Sequence, residues 1–164
     1  PYEMIVPNLY GKLYKIWNCL EKYKYENIFW IDGDAIFANM SLKITDMAKF
    51  NFGCSFVANV DKGLHEPGFN TGAFFMRNNA VSRHMLMYAH EKRSIYTKKS
   101  LSDQEALNVY CKINPSACCI LPARRIQSIV RLREYHNGDF IAHFTFLRNK
   151  TIKKNILEYA LEQF

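Results

Sequence analysis

Two carboxylates stand one residue apart inside an otherwise apolar stretch of the chain, as Asp32 and Asp34 within residues 28–37. The large apolar residues before them predict a short buried strand that ends at Asp32, where a turn-permissive glycine follows. Acids at the end of such a strand need a cation, because an unpaired buried charge is costly. Side chains at i and i+2 of an extended segment point the same way, so both carboxylates could converge on one ion. Their oxygens suit Mg2+ or Mn2+, ions that substrate phosphates commonly complete.

A second interpretation of the same pair stays open at this point. Two acids at this spacing also occur beside surface turns, or pair with lysine and arginine, and a bare D-x-D pattern more often has that meaning. The apolar residues on both sides of the pair favour a metal site, because surface turns seldom lie between such runs.

Further polar residues are predicted at the ends of strands or at a helix start, where open α/β sheets gather their ligand sites. Asn70 precedes an apolar strand, Asp103 and Gln104 open a helix, and His143 lies in an apolar strand. Each also has an ordinary explanation. The helix dipole favours Asp103, turn chemistry favours Asn70, and a histidine in an apolar strand is commonly a hydrogen-bonded core residue.

Strands and helices alternate in the elements that must position these side chains. Apolar residues at three- and four-residue steps predict helices over residues 8–23, 78–89, 103–112 and 152–161, with a helical turn over 47–50. Short apolar runs predict strands over residues 55–60, 73–77 and 140–144, and strands or strand-like connectors over 117–121 and 126–130. Residues 92–99 are predicted to form a basic loop. This alternation predicts a layered α/β fold.

Composition limits the possible classes of protein. The chain has 164 residues, almost half of them hydrophobic, which fits one domain with its own core. No apolar run approaches the length of a membrane span. A net charge of +7 fits either a nucleic-acid surface or an enzyme for phosphorylated donors. Five cysteines without C-x-x-C spacing argue against a structural zinc site and leave any disulfide pairing open.

Four stretches resemble, in order and spacing, the motifs of the galactosyl/mannosyl/xylosyltransferase family 34 of glycosyltransferases. They are IFWIDGDAIFANM (28–40), FNTGAFFMRNN (69–79), SDQEALNVY (102–110) and GDFIAHF (138–144). The segment LYGKLYKIWNCLEKY (9–23) is similar to the helix that the family places before its D-x-D motif. The four motifs together are far more specific than any one of them.

The resemblance implies an α/β fold of the GT-A type, a Rossmann-like nucleotide-diphospho-sugar transferase fold. It implies a single, partial catalytic domain over residues 1–164, and the chain departs from the family in that the first N-terminal strands are expected to be absent. The implied activity moves a hexose or pentose, with retention of anomeric configuration, from a UDP- or GDP-sugar to a glycan acceptor. No nucleic-acid partner is expected.

The resemblance also implies a set of site residues and a Mn2+ or Mg2+ cofactor. The implied metal ligands are Asp32, Asp34 and His143. The implied donor-binding residues are Asp32, Lys12, Asn70, Gly72 and Arg148. Asp103 and Gln104 are implied to be catalytic, near the anomeric carbon.

Two alternatives remain at the level of the sequence. One is a catalytically inactive GT-A-like domain that binds a nucleotide or a glycan, and the other is a basic polyanion-binding module. The family would place a eukaryotic protein in the Golgi lumen, whereas a bacterial or viral protein would be cytoplasmic, and no anchor is expected within this chain.

Overall fold

The computed structural model describes residues 11–44, 46, 53–62, 68–98, 103–145 and 147–162. The predicted helix start at Asn8, the predicted turn over residues 47–50 and the capping residue Ser102 lie outside the described residues. The strands are β1 (Asn27–Ile31), β2 (Ala35–Phe37), β3 (Phe56–Val60), β4 (Phe69–Arg77), β5 (Cys118–Leu121), β6 (Gln127–Ile129) and β7 (Ile141–His143). The helices are α1 (Gly11–Glu21), α2 (Ala80–Lys98), α3 (Asp103–Ile113) and α4 (Lys150–Leu161).

The strands form two sheets, and the predicted α/β class is confirmed. One sheet has the strand order β1-β4-β3-β5, and the other has the order β2-β7-β6. In the second sheet β7 runs antiparallel to β2 and parallel to β6. The middle strand β7 therefore has its backbone groups paired on both sides, which holds the end of that strand in a fixed position.

The chain divides into two compact units. Unit 1 consists of Pro1–Ile28, Cys54–Phe56 and Met76–Cys118, and unit 2 consists of Phe29–Gly53, Val57–Phe75 and Cys119–Phe164. Both units are thus built from segments that are distant in sequence. The expectation of one catalytic domain over the whole chain stays a prediction.

Unit 1 contains α1, α2 and α3. Helix α1 buries Leu13, Ile16 and Leu20, which recur at the spacing of one helical face. A disulfide joins Cys111 at the end of α3 to Cys118. Cys54 and Cys119 are also disulfide-bonded, and Cys19 is a free, half-buried thiol.

Unit 2 contains the three-stranded sheet and α4. Its core includes a cluster of small and large apolar side chains, namely Ala38, Val130, Ala142, Phe144 and Ile156. Helix α4 begins after Asn149, whose side chain accepts a hydrogen bond from the backbone of Ile152 at 3.1 Å. This cap satisfies one of the donors that a helix start leaves unpaired.

Three details of the sequence-based assignment were wrong. Residues 92–98 are helical, because α2 has no glycine or proline to end it before Lys98. Strand β1 ends at Ile31, and a further strand, β2, follows the acidic pair. Asn70 and Gly72 do not precede their strand but lie within it, since β4 begins at Phe69.

No helix within the described ranges combines the length and the apolar character that crossing a bilayer requires.

Candidate metal centre

The pairing of β2 with β7 brings the two ends of the candidate site together. Ala35 lies opposite His143 in the antiparallel register, and the backbone N–H of Phe144 donates to the carbonyl of Asp34 at 2.8 Å. His143 Nε2 consequently lies 3.2 Å from Asp34 Oδ1, although the two residues are 109 positions apart in sequence. The expected meeting of Asp34 and His143 in one place is confirmed.

A turn, not an extended strand, brings Asp32 to the same place. The N–H of Ala35 donates to the carbonyl of Asp32 at 3.1 Å, which closes a tight turn over the two acids. The i, i+2 argument for a continuous strand was therefore wrong about the mechanism of convergence. The carboxylate of Asp32 is oriented by Trp30, whose indole Nε1 donates to Oδ1 at 2.6 Å.

Ligand atoms of Asp32, Asp34 and His143 all lie within 4.8 Å of one another. Two ligands at adjacent corners of an octahedron around Mg2+ are about 3 Å apart, given metal–oxygen distances of about 2.1 Å. The separation of 3.2 Å between Asp34 and His143 fits that spacing. Two carboxylates and one imidazole are a donor set that Mg2+ or Mn2+ accepts. The group can hold a divalent cation.

The two sides of the group differ in exposure. The side chain of His143 is 3% exposed and that of Asp34 is 50% exposed. Within the described part of the chain, His143 Nε2 lies within hydrogen-bond distance of Asp34 Oδ1, and no lysine or arginine pairs with Asp34. Of the two parts of the alternative interpretation, the acids do flank a turn, but Asp34 does not pair with a described lysine or arginine. A buried imidazole and an accessible carboxylate leave one side of the group open to a ligand.

Gly72 on β4 contacts both ends of the metal group. Its carbonyl accepts a hydrogen bond from the N–H of Asp32 at 2.7 Å. A Cβ at this position would overlap Cε1 and Nδ1 of the His143 ring. Only glycine leaves room for the imidazole at this point, so the residue type is dictated by the approach of the ring.

Asn70 lies two residues earlier on the same strand, and it is buried. Its Oδ1 accepts hydrogen bonds from the N–H of Gly72 at 2.7 Å and from Gln127 Nε2 at 3.1 Å. Its Nδ2 donates to Asp61 Oδ2 at 3.2 Å. These contacts engage both ends of the amide inside unit 2, and the donor-binding role of Asn70 stays a prediction.

The predicted catalytic pair lies in unit 1, in the first turn of α3. Asp103 Oδ2 is 3.0 Å from Lys12 Nζ, and the Asp103 side chain is only 6% exposed. The carbonyl of Gln104 accepts a hydrogen bond from Asn108 Nδ2 at 3.0 Å. Lys12, which the resemblance assigns to the donor, is thus engaged with a carboxylate. The roles of Lys12, Asp103 and Gln104 toward a substrate stay predictions.

Arg148 lies just before the N-cap of α4 and is exposed. An exposed guanidinium suits a phosphate ligand, which it contacts in bidentate fashion. Its role toward the donor diphosphate stays a prediction.

A further carboxylate in unit 2 holds the connection between β6 and β7. Asp139 accepts hydrogen bonds from both Nε and Nη2 of Arg124, from the hydroxyl of Ser128 and from the N–H of His136. Burial alone would raise the pKa of Asp139, but these hydrogen bonds outweigh it and lower the pKa. This cluster fixes the segment that leads into β7 and hence to His143.

Sequence reasoning missed two residues that support the metal group. Trp30 had a detectable signal, because it lies two positions before Asp32 on the same strand. No local sequence signal marked Gln127, since the residue it contacts, Asn70, lies 57 positions away in the chain.

The similarity of this chain to known proteins lies in its three-dimensional structure. No protein-family model matches it, and no curated protein matches it in sequence. Among solved structures, it is similar to the crystal structure of a glycosyltransferase involved in the glycosylation of the major capsid of PBCV-1. The two share 15% sequence identity, with a TM-score of 0.68 over 99% of this chain and 80% of the other. At this level of identity the similarity establishes a shared fold.

Proposed function

We propose that this chain is a metal-dependent retaining glycosyltransferase domain that uses a nucleotide-diphosphate sugar as its donor. One observation carries the proposal. Asp32, Asp34 and His143 present ligand atoms within 4.8 Å of one another, in a fold shared with a glycosyltransferase. More specifically, we propose that the chain is similar in activity to glycosyltransferase family 34, on the basis of the order and spacing of the four sequence motifs.

Each member of the metal group has a distinct task in this proposal. Asp34 and His143 would hold Mn2+ or Mg2+, with Asp34 offering the accessible oxygen. Asp32, oriented by the Trp30 indole, binds the metal or the donor ribose. The bound cation would neutralise charge that develops on the donor diphosphate as the glycosyl–phosphate bond breaks. Arg148 would add a cation to the same phosphates.

The first turn of α3 supplies the proposed sugar contacts. Asp103 would accept hydrogen bonds from sugar hydroxyls near the anomeric carbon, and the Gln104 amide would accept or donate them. The ammonium of Lys12, 3.0 Å from Asp103 Oδ2, offsets the charge of that buried carboxylate. Gln104 would flank a front-face attack, in which the acceptor oxygen bonds to the anomeric carbon as the glycosyl–phosphate bond breaks. The leaving phosphate would take the proton of the acceptor hydroxyl, and such an attack would retain the anomeric configuration.

The disulfides bear on where such an enzyme would work. Four of the five cysteines are disulfide-bonded. Such bonds persist in oxidising compartments. We therefore place the proposed activity in an oxidising lumen, the Golgi if the source is eukaryotic. Protein purified without reductant is denatured and alkylated, and Cys19 alone is expected to be labelled. Labelling of all five cysteines would contradict the proposed oxidising compartment.

The experiment that tests the function combines donor binding with turnover. A panel of UDP- and GDP-sugars is screened by thermal shift with and without Mn2+, because a ligand bound only to the folded state raises its melting temperature. One donor is expected to raise the melting temperature only when Mn2+ is present. That donor is then assayed for hydrolysis and for transfer to glycan acceptors.

Asp34→Ala is the decisive variant in that assay, and Glu158→Gln, at an exposed carboxylate on α4, is its control. Asp34→Ala is expected to abolish metal-dependent binding and turnover, whereas Glu158→Gln keeps both. Turnover that survives Asp34→Ala or a chelator would overturn the proposal. Metal-dependent donor binding without any turnover would identify an inactive relative instead.

A further inference from the structure

Gly72 is the residue through which unit 2 controls the positions of two candidate metal ligands. Its carbonyl oxygen fixes the backbone of Asp32 at 2.7 Å. Its lack of a side chain admits the His143 ring, which lies where a Cβ would be. A displacement of this single peptide would therefore move one ligand directly and crowd the other.

The position of Gly72 is in turn set by Asn70. The Asn70 Oδ1 accepts the Gly72 N–H at 2.7 Å, which closes an Asx-type hydrogen bond within β4. A strand residue does not adopt this bond by default, because strand N–H groups normally pair with a neighbouring strand. The Asn70 side chain must consequently be held in one rotamer.

Two buried side chains hold that rotamer. Asp61 accepts from Asn70 Nδ2 at 3.2 Å, which orients the amide with its oxygen toward Gly72. Gln127 Nε2 donates to Asn70 Oδ1 at 3.1 Å and also lies 3.3 Å from the carbonyl of Ala73. Gln127 is 2% exposed, so these bonds form away from water.

We propose that Asn70 and Gln127 are positioning residues of the metal centre, which act through Gly72 and hold Asp32 and His143 at their metal-binding separation before the ion arrives. The proposal rests on the proposed function for its biological meaning, but its test requires only a metal ion. Residues that orient metal ligands in this way typically contribute about 10- to 100-fold to metal affinity.

The chemistry of position 70 explains why an amide is needed there. The side chain must accept from Gly72 and donate to Asp61 at the same time, and a carboxamide offers both groups. An aspartate of the same shape would accept from Gly72 but place a second carboxylate against Asp61. Asn70→Asp is therefore nearly isosteric, and it removes the hydrogen bond to Asp61 that orients the side chain toward Gly72.

The experiment measures Mn2+ binding to the donor-free protein by electron paramagnetic resonance, together with the visible spectrum of bound Co2+ as a probe of ligand geometry. Asn70→Asp is expected to weaken Mn2+ binding about 10- to 100-fold. It should also alter the Co2+ spectrum, which a loss of stability alone does not change. Gln127→Met is expected to weaken binding by roughly 10-fold.

Gly72→Ala is expected to lose Mn2+ binding altogether, and Gly33→Ala is its matched control. Gly33 lies between the two acids, and a Cβ there meets no atom within 4 Å, so this variant is expected to bind Mn2+ like the wild type. If Gly72→Ala does not fold, the folded Asn70→Asp protein still decides the question.

A reciprocal exchange provides a rescue. The double variant Asp61→Asn/Asn70→Asp restores an amide–carboxylate pair with its direction reversed, and it is expected to recover most of the Mn2+ affinity lost in Asn70→Asp. If wild-type protein binds Mn2+ and Asn70→Asp binds it equally well with an unchanged Co2+ spectrum, this inference is overturned and the proposed function stands. If the donor-free wild type binds no Mn2+, this inference is overturned, and the assay of donor binding and turnover decides the proposed function separately.

Discussion

Asp34 and Asp139 are two carboxylates of the same unit in opposite situations. The Asp139 side chain is 9% exposed and accepts hydrogen bonds from a guanidinium, a hydroxyl and a backbone amide. The Asp34 side chain is 50% exposed and lies beside the imidazole of His143. A carboxylate whose lone pairs are satisfied by fixed donors supports the fold. A carboxylate that faces an imidazole and solvent keeps the capacity to bind a cation.

Asp103 in unit 1 is a third case that refines the comparison. It is buried like Asp139, but it pairs with the flexible ammonium of Lys12 instead of a planar guanidinium fork. A lysine supplies charge without fixing geometry bidentately. Asp103 is thus similar to Asp139 in its burial and differs from it in the geometry of its cationic partner.

The largest expected effect on metal binding comes from replacing Asp34, with the same replacement at Asp139 as the comparison. At a Mn2+ concentration about 100 times the dissociation constant, binding should stabilise the wild type by about 2.7 kcal/mol. Asp34→Asn is expected to lose this metal-dependent stabilisation, while Asp139→Asn keeps it despite a lower melting temperature without metal. Melting curves with Mn2+ and with a chelator measure both quantities. An equal metal response in the two variants would contradict the distinction between the acids.

In the absence of metal, the largest loss of stability is expected from Lys12→Met. Removing one partner of a buried ion pair costs about 3–5 kcal/mol, because the remaining charge is left uncompensated. Urea unfolding of this variant should show a loss in that range. The double variant Lys12→Met/Asp103→Asn is expected to recover part of the loss, since it leaves no buried charge from the pair. A single variant as stable as the wild type would show that the pair is solvated in solution.

The next effect is the dependence of stability on pH that Asp139 introduces. Because its pKa is lowered in the folded protein, its contribution is fully present above the ordinary value of 3.8 and is lost as the pH falls through the folded-state pKa. Asp139→Asn is expected to cost about 1–3 kcal/mol at neutral pH. The difference from wild type should narrow below pH 3.8. A difference that stays constant from neutral pH into this acidic range would mean that charge is not the cause.

The smallest effect is expected at an acid with neither burial nor a fixed partner. Glu158 pairs with Lys154 one turn earlier on α4, with both side chains largely exposed. Such pairs contribute about 0.3–0.5 kcal/mol. Glu158→Gln should therefore lower the free energy of unfolding by no more than this amount, and the loss should vanish at high salt. A larger loss would mean that Glu158, like Asp139, contributes substantially to the stability of the fold.

Much of the fold follows from local patterns. The spacing of Leu13, Ile16 and Leu20 is enough to predict α1, because a helix that packs on one face needs apolar residues at that period. Strand β4 is legible for a similar reason, since residues 73–76 form a continuous apolar run. The end of α2 was misjudged because lysine and arginine are good helix formers, and charge alone does not end a helix.

The candidate metal ligands could be predicted from the sequence, but the residues and the strand that position them could not. Asp32 and Asp34 stand out because charges in an apolar run need a reason, and the family resemblance supplied His143 as their partner. Strand β2 has three residues and gives almost no periodic signal of its own. Yet it is this short strand whose register places His143 opposite Ala35.

The sequence by itself determined which side chains could bind a cation, because residue type sets the chemistry of each ligand and apolar neighbours mark the acids as unusual. Tertiary structure alone decided which of the acids keeps that capacity. Asp34 lies beside His143, Asp103 beside Lys12 and Asp139 beside Arg124, and two of these pairings join residues far apart in the chain. Tertiary structure also explains why Gly72 matters, since its missing Cβ leaves the space that the His143 ring, from a distant segment of the chain, occupies. Pairings of this kind depend on strand register and helix packing, which residue-by-residue patterns do not encode.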